Sequence, residues 1–382
     1  MEKVYLDSAA TTQMRDEVID RMITVMRENY GNPSSTHSYG RSSKSLIENA
    51  RKTVAGFLNV SASEIVFTSG GTEADNLALN SAVRDLDVRR IITSPIEHHA
   101  VLYTVNQLRE CFDVEIVHVK ITKTGEVDLD HLNELLQDTT KKTLVSLMHV
   151  NNEVGNILDI NKVGGLCKAN KALFQCDTVQ SVGHFNLDFG SIPVDFTAVS
   201  AHKFHGPKGV GFAFVRKHSG LKPLIFGGEQ ERGHRAGTES VHNIVGLEEA
   251  LKLAHRDMDE EREYITSLKS YFIQRLEDEI PGIKFNGNSK DLEKSTYTLI
   301  NVCLPVSAEK ALMLLFQLDL KGIACSKGSA CQSGSDKGSH VLSAFLEEED
   351  LKKPSIRFSF SRYNTKAEID YVIETLKEFI DK

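Results

Sequence analysis

The cysteines of this 382-residue chain are not paired in the way that zinc or dithiol redox sites require. No C-x-x-C motif occurs, and the six cysteines are scattered along the sequence: Cys111, Cys167, Cys176, Cys303, Cys325 and Cys331. A chain of this length buries a large core without disulfides. We therefore expect reduced thiols in an intracellular protein, most simply a cytoplasmic one.

Long hydrophobic runs and an excess of positive charge are also missing. The sequence has no N-terminal apolar segment of the signal-peptide kind and no apolar run of about 18 residues, so nothing indicates export or a membrane partner. Lys and Arg total 45 against 53 Asp and Glu, a net charge of −8, so a nucleic-acid partner is not expected. Internal repeats and low-complexity tracts are absent as well.

What the sequence does contain is an alternation of short apolar runs with helical patterns. Several of the runs are apolar throughout, as in strands that are covered on both faces. We predict strands at 64–68, 90–93, 114–119, 143–148, 173–176, 196–199 and 210–215. Helical patterns lie between most of them, for example at 100–110 and 129–136. This rhythm predicts a mostly parallel sheet.

The C-terminal third follows a different plan. A long helical pattern runs from about 244 to 278 and ends at Pro281-Gly282, which is a helix stop signal. The elements that follow are a strand at 297–304, a helix at 307–318, a strand at 355–361 and a helix at 366–380. We predict an α/β protein with a large mostly parallel-sheet domain at 14–260 and a smaller α+β domain formed by 1–13 and 261–382.

One segment does not fit this rhythm. Residues 325–339 read CSKGSACQSGSDKGS, a stretch rich in Gly, Ser and Lys. Loops of this length are uncommon in compact domains and are usually functional or disordered. A solvated loop is the simpler interpretation, but the thiol of Cys331 in its middle favours a function.

A glycine-rich turn follows the first predicted strand. Residues 69–74 read SGGTEA and open a helix that continues through Leu79. Glycines let the backbone approach a ligand, and the first N–H groups of a helix have no partner within it. The turn therefore suits a phosphate group, although an ordinary strand–helix turn is the alternative.

Two further residues lie at the ends of other predicted strands. Asp177 directly follows the strand at 173–176, and Lys203 lies just past the strand at 196–199. Open α/β sheets bind ligands at the carboxyl ends of their strands. Taken alone, Asp177 could be a helix N-cap and Lys203 a solvated charge. Together with the glycine turn they match what pyridoxal phosphate needs: a phosphate cradle, an acid partner for the pyridine nitrogen and a lysine for the aldehyde.

Histidines cluster near these strand ends. His98 and His99 follow the strand at 90–93, and His202 and His205 flank Lys203. A protein-built metal site is disfavoured, because acidic and thiol residues do not lie at ligand spacing beside them. An imidazole stacked on a cofactor ring is the better interpretation of His98.

These motifs resemble those of the cysteine desulfurases, in the class V branch of fold-type I pyridoxal phosphate enzymes. The resemblance covers nearly the whole chain and is carried by residues 5–12, 31–35, 69–76, 149–155, 177–183, 200–211, 232–239, 328–331 and 355–359. The Gly-Ser-Ala-Cys at 328–331 is similar to the housekeeping and nitrogen-fixation branch, which has the longer catalytic loop.

The resemblance implies a role for each matching residue. Lys203 would bond the cofactor aldehyde, Asp177 would keep the ring nitrogen protonated, Gln180 would hydrogen-bond the ring oxygen and His98 would stack on the ring. The phosphate would be held by Gly71, Thr72, Ser200 and His202, with Thr238 reaching in from a second subunit of a homodimer. Asn152 would lie beside the ring, and Arg357 would bind the substrate carboxylate.

The activity implied is removal of sulfur from L-cysteine, giving L-alanine and a persulfide on Cys331. The sulfur would pass to an acceptor protein, such as an iron–sulfur scaffold. Whether Cys331 also serves as a transient iron–sulfur ligand shared with a scaffold is left open; no other metal ligand is expected. The alternatives are a selenocysteine lyase, another class V enzyme, or a non-catalytic relative, which would not need Lys203, Asp177 and Cys331 together.

The sequence departs from the family pattern in places. Cys176 stands where the branch has a histidine, and we expect a small buried filler there. Cys325, six residues before Cys331, is either a structural residue at the base of the loop or a resolving thiol. Asp336-Lys337-Gly338 replaces the usual Leu-Glu-Pro, which leaves open how the loop closes.

Overall fold

The computed structural model describes residues 3–327 and 338–381. Its strands, β1 to β12, are Val4–Tyr5, Ile65–Thr68, Arg90–Thr93, Glu115–His118, Thr143–Ser146, Leu173–Asp177, Phe196–Ser200, Gly211–Val215, Lys284–Phe285, Leu299–Cys303, Ile323–Ala324 and Ser355–Ser359. Its helices, α1 to α12, are Asp16–Glu28, Ser38–Phe57, Gly71–Asp85, His99–Cys111, Leu129–Leu136, Ile160–Ala169, Val241–Arg256, Met258–Glu279, Ala308–Leu320, His340–Ser343, Glu348–Leu351 and Lys366–Asp381.

The main sheet contains the seven strands that the apolar runs predict, in the order β2-β8-β7-β6-β5-β3-β4. Pairings are parallel from β7 to β4, and only β8 runs antiparallel to its two neighbours. The predicted α/β class with a mostly parallel sheet is therefore confirmed.

Neighbouring residues of one strand supply opposite faces of this sheet. Ile91 packs in a core beneath α3 and α4, whereas Ile92 packs in a second core with α1, α2, α6 and α7. Both side chains are fully buried. Burial on both faces explains why several strands of this sheet are apolar throughout in the sequence.

The long helical pattern at 244–278 is in fact two helices. Asp257 ends α7, and α8 begins at Met258. The Asp257 carboxylate binds the buried Arg15 at 2.6 Å, and Arg15 also pairs with Glu261. The periodicity does not show this bend, because Asp257 is bound to a residue that is far away in the sequence.

A third core lies beside a small sheet of order β12-β10-β9. It contains Val4 and Leu6 together with buried residues of α8, α12 and the C-terminal strands. The first strand reaches this core by pairing in parallel with β11. Among the described residues, no helix is both long and apolar enough to cross a membrane.

Candidate active site

A cavity of about 500 Å³ opens at the carboxyl ends of β2, β6 and β7. Ten of the predicted site residues line it: Gly71, Thr72, His98, Asn152, Asp177, Gln180, Ser200, His202, Lys203 and Arg357. The parallel strands bring these residues together from positions that are far apart in the chain. Thr238 lines a smaller neighbouring cavity instead, and Cys331 lies outside the described residues.

The glycine turn between β2 and α3 approaches its neighbours closely. A Cβ atom on Gly71 would lie 2.5 Å from Val179 Cγ2, and one on Gly211 would lie 2.8 Å from the Gly70 Cα. Ser69 donates its backbone N–H to Glu73 Oε2 at 2.8 Å, which fixes the start of the turn. The first N–H groups of α3 are left at the edge of the cavity, as a phosphate cradle requires.

Lys203 is held by the N-terminal segment. Its Nζ donates to the backbone oxygens of Ala9 at 2.6 Å and Ala10 at 2.8 Å. The Gln180 amide donates to the same Ala9 oxygen at 2.9 Å. Sequence reasoning gave Ala9 and Ala10 no role, because they contact Lys203 only through their carbonyl groups.

Asp177 is the last residue of β6 and is followed by a turn, not a helix. The helix N-cap interpretation is therefore wrong. Its Oδ1 accepts from the Val179 N–H at 2.9 Å. Burial raises the pKa of Asp177 to about 6, opposed by the Val179 hydrogen bond and the charge of Lys203.

Two more carboxyl groups, which the sequence analysis did not single out, are buried close to Asp177. Asp75 Oδ1 accepts from the Gln175 amide at 2.8 Å, and Glu97 Oε1 accepts from the Ser94 hydroxyl at 2.6 Å. Burial is the main cause that raises the pKa of Asp75 well above its usual range and that of Glu97 to about 8. At neutral pH, Asp75 and Glu97 are therefore protonated, whereas Asp177 carries the negative charge.

His98 is the N-cap of α4. Its Nδ1 accepts from the Ala100 N–H at 3.1 Å, which assigns the ring proton to Nε2. Burial, helped by the charges of Lys203 and His340, lowers the pKa of His98 to about 4. The ring is therefore neutral at pH 7, and its flat face suits stacking.

Arg357 is a buried cation in the lining of the cavity. Its side chain is 1% exposed and pairs with Asp7 Oδ1 at 2.9 Å through Nη2. Nη1 donates to the Asn152 backbone oxygen at 2.7 Å. Sequence reasoning did not find the contact with Asp7, because the two residues are 350 positions apart.

The segment that carries Cys331 is attached to the protein at both of its described ends. On one side, Ser326 forms an antiparallel bridge with Arg357. On the other, Ser339 caps α10 and His340 Nε2 lies 2.9 Å from the Glu97 backbone oxygen. Cys325 is half-buried, and burial raises the pKa of its thiol to about 12. That environment favours the structural interpretation of Cys325 over the resolving thiol.

The residues present fit pyridoxal phosphate. The cavity has the size of a small-molecule site. It joins a turn where a Cβ does not fit, a lysine amine and a buried carboxylate. Cys176 is buried beside Asp177, as a small filler. In the part of the chain that the structure describes, no group of three or more His, Cys, Asp or Glu residues is arranged to hold a metal ion.

The fold and the cavity together define a pyridoxal-phosphate-dependent enzyme, and known proteins narrow the class. The profile of the family described as "Aminotransferase class-V" matches residues 4–372, and the chain belongs to this family. A "Cysteine desulfurase IscS" from Dictyoglomus turgidum is 41% identical over 382 residues, covering 100% of this chain and 95% of the relative.

Solved structures agree with this assignment. A "NIFS-like protein" superimposes with a TM-score of 0.90 at 36% identity and covers 100% of both chains. The structure "SspA in complex with cysteine" has a TM-score of 0.82 at 28% identity and covers 95% of this chain and 100% of the other. The relatives are thus similar in fold over essentially the full length.

Proposed function

We propose that the chain is a cysteine desulfurase that takes sulfur from L-cysteine, releases L-alanine and holds the sulfur as a persulfide on Cys331. The observation that carries the proposal is the single cavity that joins Lys203, Asp177 and Arg357. The residue bridged to Arg357, Ser326, lies only five positions before Cys331. An extended chain of that length spans about 18 Å at most, so its covalent length alone keeps Cys331 within that distance of Ser326.

The proposed cofactor contacts follow the cavity lining. Gly71, Thr72, Ser200 and His202 would hold the phosphate group, Gln180 would bond the ring oxygen and His98 would stack on the ring. Asn152 would contact the ring, and Asp177 would keep a proton on the ring nitrogen. Bound pyridoxal phosphate supplies an aldehyde for the substrate amine and a ring that withdraws electrons from Cα.

The chain's own residues perform the remaining steps. Arg357 binds the substrate carboxylate through its planar fork. The Lys203 amine removes the proton from the substrate Cα. The Cys331 thiolate attacks the substrate sulfur, so that an S–S bond forms and the substrate C–S bond breaks. The carbon product takes up protons and leaves as L-alanine, while the sulfur stays on Cys331.

The larger assembly follows from the same proposal. Both cores of the large sheet lie within 14–260, and the third core is built from Val4, Leu6 and residues after 261, which supports the predicted two domains. Thr238 is exposed and lies away from the cavity, which is consistent with its serving the site of a second subunit. An iron–sulfur scaffold or another acceptor protein receives the sulfur, in the cytoplasm.

The test is incubation with L-cysteine and a reductant, with alanine and sulfide measured together. We expect equal amounts of both products from the wild type. Lys203→Ala should lose turnover and the borohydride-reducible bond between lysine and cofactor. Cys331→Ser should keep that bond but make almost no alanine, a loss of at least about 1,000-fold for removal of a covalent nucleophile.

Mass spectrometry of the peptide that contains Cys331 completes the test. We expect a gain of one sulfur atom in the wild type and none in Cys331→Ser. The matched control is Cys325→Ser, which should keep most of the activity. Normal alanine production by Cys331→Ser would contradict the proposal and favour a lyase that releases sulfur without a protein carrier.

A further inference from the structure

The mechanism above gives no task to Asp7, although this residue contacts the substrate-binding arginine. We propose that Asp7 is a positioning residue that aims the Arg357 guanidinium at the substrate carboxylate. Its hydrogen bond with Ser326 also couples the orientation of the guanidinium to the start of the segment that carries Cys331. The inference rests on the proposed function and deepens it, because it concerns how the same site recognises its substrate.

The Arg357 guanidinium is held at both of its terminal nitrogens. Arg357 Nη2 donates to Asp7 Oδ1 at 2.9 Å, and Nη1 donates to the Asn152 oxygen at 2.7 Å. Two contacts at the tips of a planar fork fix its orientation. Each of these two nitrogens carries a second N–H, so donors remain for a substrate carboxylate once the fork is held.

Arg357 and Asp7 form an ion pair whose two members are shielded from water to different degrees. Arg357 is almost fully buried, whereas the Asp7 side chain is 19% exposed. A buried cation that loses its partner is costly, and it relieves that cost by turning toward another acceptor or toward water. Asp7 removes the need for such a rearrangement before the substrate arrives. It thereby preorganises the carboxylate site.

Asp7 is also hydrogen-bonded to the start of the segment that carries Cys331. The Ser326 hydroxyl donates to Asp7 Oδ1 at 2.8 Å, the same oxygen that accepts from Arg357. The backbone of Ser326 also exchanges hydrogen bonds with Arg357, at 2.7 Å and 3.2 Å. Asp7 Oδ1 thus accepts hydrogen bonds both from the Arg357 guanidinium and from Ser326, at the base of the segment.

A purely structural role would not need the Asp7 carboxylate. The surrounding segment is fixed by other contacts: the Leu6 N–H donates to the Ala324 oxygen at 2.8 Å, and the Ala9 N–H donates to Ser359 Oγ at 2.9 Å. These contacts involve backbone groups of the segment. The side chain of Asp7 can therefore be altered while the segment stays in place.

The experiment compares Asp7→Asn with wild type on L-cysteine and on L-cysteine methyl ester, which has no carboxylate. We expect Asp7→Asn to raise the KM for L-cysteine about tenfold or more, with a smaller change in kcat. The ratio of kcat/KM for the acid over the ester should fall by a similar factor. A merely structural defect would affect acid and ester alike. The matched control is Asp20→Asn, an exposed aspartate of α1.

Ser326→Ala tests the link independently. We expect it to lower kcat more than it raises KM, and its effect should not add to that of Asp7→Asn, because both act through one oxygen. If Asp7→Asn is unstable, Asp7→Glu keeps the charge but moves it by one methylene. It must show the same loss of preference for the acid.

The outcomes separate the two proposals. A wild type that makes no alanine from L-cysteine would overturn the proposed function and this inference with it. An active wild type combined with an Asp7→Asn variant of unchanged KM and unchanged preference for the acid over the ester would overturn the inference alone.

Discussion

Glu97 is a carboxylic acid that the fold keeps out of water. Its pKa is raised from 4.5 to about 8, chiefly by burial. Between these values the native state holds a proton that the unfolded chain releases. The unfolding free energy contributed by Glu97 is therefore retained at low pH and lost as the pH rises from about 4.5 to about 8.

We expect Glu97→Gln to be more stable than wild type above pH 8 and similar to it near pH 5. Glutamine keeps an oxygen that accepts from Ser94 but cannot ionise. The difference at high pH should be about 2 to 5 kcal/mol. Thermal unfolding at pH 5 and pH 8.5 measures it, with Glu110→Gln, an exposed residue of α4, the helix that follows Glu97, as the control. Parallel pH curves for wild type and Glu97→Gln would show that Glu97 is not held protonated.

The sequence predicts individual residues well where strand ends and motifs coincide. Asp177 directly follows one apolar run and Lys203 lies a few residues past another, so their place at the sheet edge follows from the pattern. Asp75 and Glu97 give no such signal, because an acidic residue within or before a helix is usually solvated. Their burial depends on Gln175 and Ser94, which the fold brings beside them.

The start of α3 is the element on which the phosphate cradle depends. The Gly71 position is crowded by Val179, whose Cγ2 would lie 2.5 Å from an added Cβ. Val179 belongs to the turn after Asp177, and its N–H donates to Asp177 Oδ1. A displacement of Val179 would therefore disturb both the proposed phosphate site and Asp177.

We expect Gly71→Ala to weaken pyridoxal phosphate retention about tenfold and to cost about 1 to 3 kcal/mol of stability through overpacking. Val179→Ala removes the methyl group in the way, so the double variant Gly71→Ala, Val179→Ala should recover most of the loss. Cofactor release followed by absorbance, together with thermal unfolding, measures both effects. A double variant as weak as Gly71→Ala would mean that the glycine serves backbone freedom and not close packing.

At the level of elements, the inner strands of the large sheet are predictable, because burial on both faces leaves apolar runs. The edge strand β4 is partly exposed, and its prediction rests on the apolar pair Ile116 and Val117. The order of the strands is not, since periodicity says nothing about which strand lies beside which. The break between α7 and α8 is missed for a similar reason. Asp257 ends the helix while bound to Arg15 and Arg362, which are distant in sequence.

At the surface of the molecule, an aromatic side chain is exposed in the segment 226–238, which ends at Thr238. Phe226 is 73% exposed, and the segment is pinned to α3 by Arg235, whose Nε lies 2.9 Å from Glu73 Oε1. Glu73 in turn accepts from Ser69 in the phosphate turn. Aromatic side chains are enriched in subunit interfaces, which makes Phe226 a candidate for such a contact. The proposed homodimer would bury Phe226 and bring Thr238 to the site of the partner subunit.

We expect Phe226→Asp to weaken self-association by about 30-fold or more, since a buried charge replaces an aromatic contact. The wild type should sediment at twice the chain mass of 42.5 kDa, and the variant should shift toward the mass of a single chain on dilution. Cofactor retention should fall in parallel, because Thr238 of the partner subunit is lost. Analytical ultracentrifugation with absorbance of the bound cofactor records both.

Phe316→Asp is the matched control, because Phe316 is 55% exposed on α9 and lies in another part of the chain. It should leave the mass and the cofactor content unchanged. A Phe226→Asp variant that stays at twice the chain mass would exclude this surface from the interface. A variant that becomes a single chain yet retains its cofactor fully would show that each subunit builds its phosphate site alone, so that Thr238 would have no role across the interface.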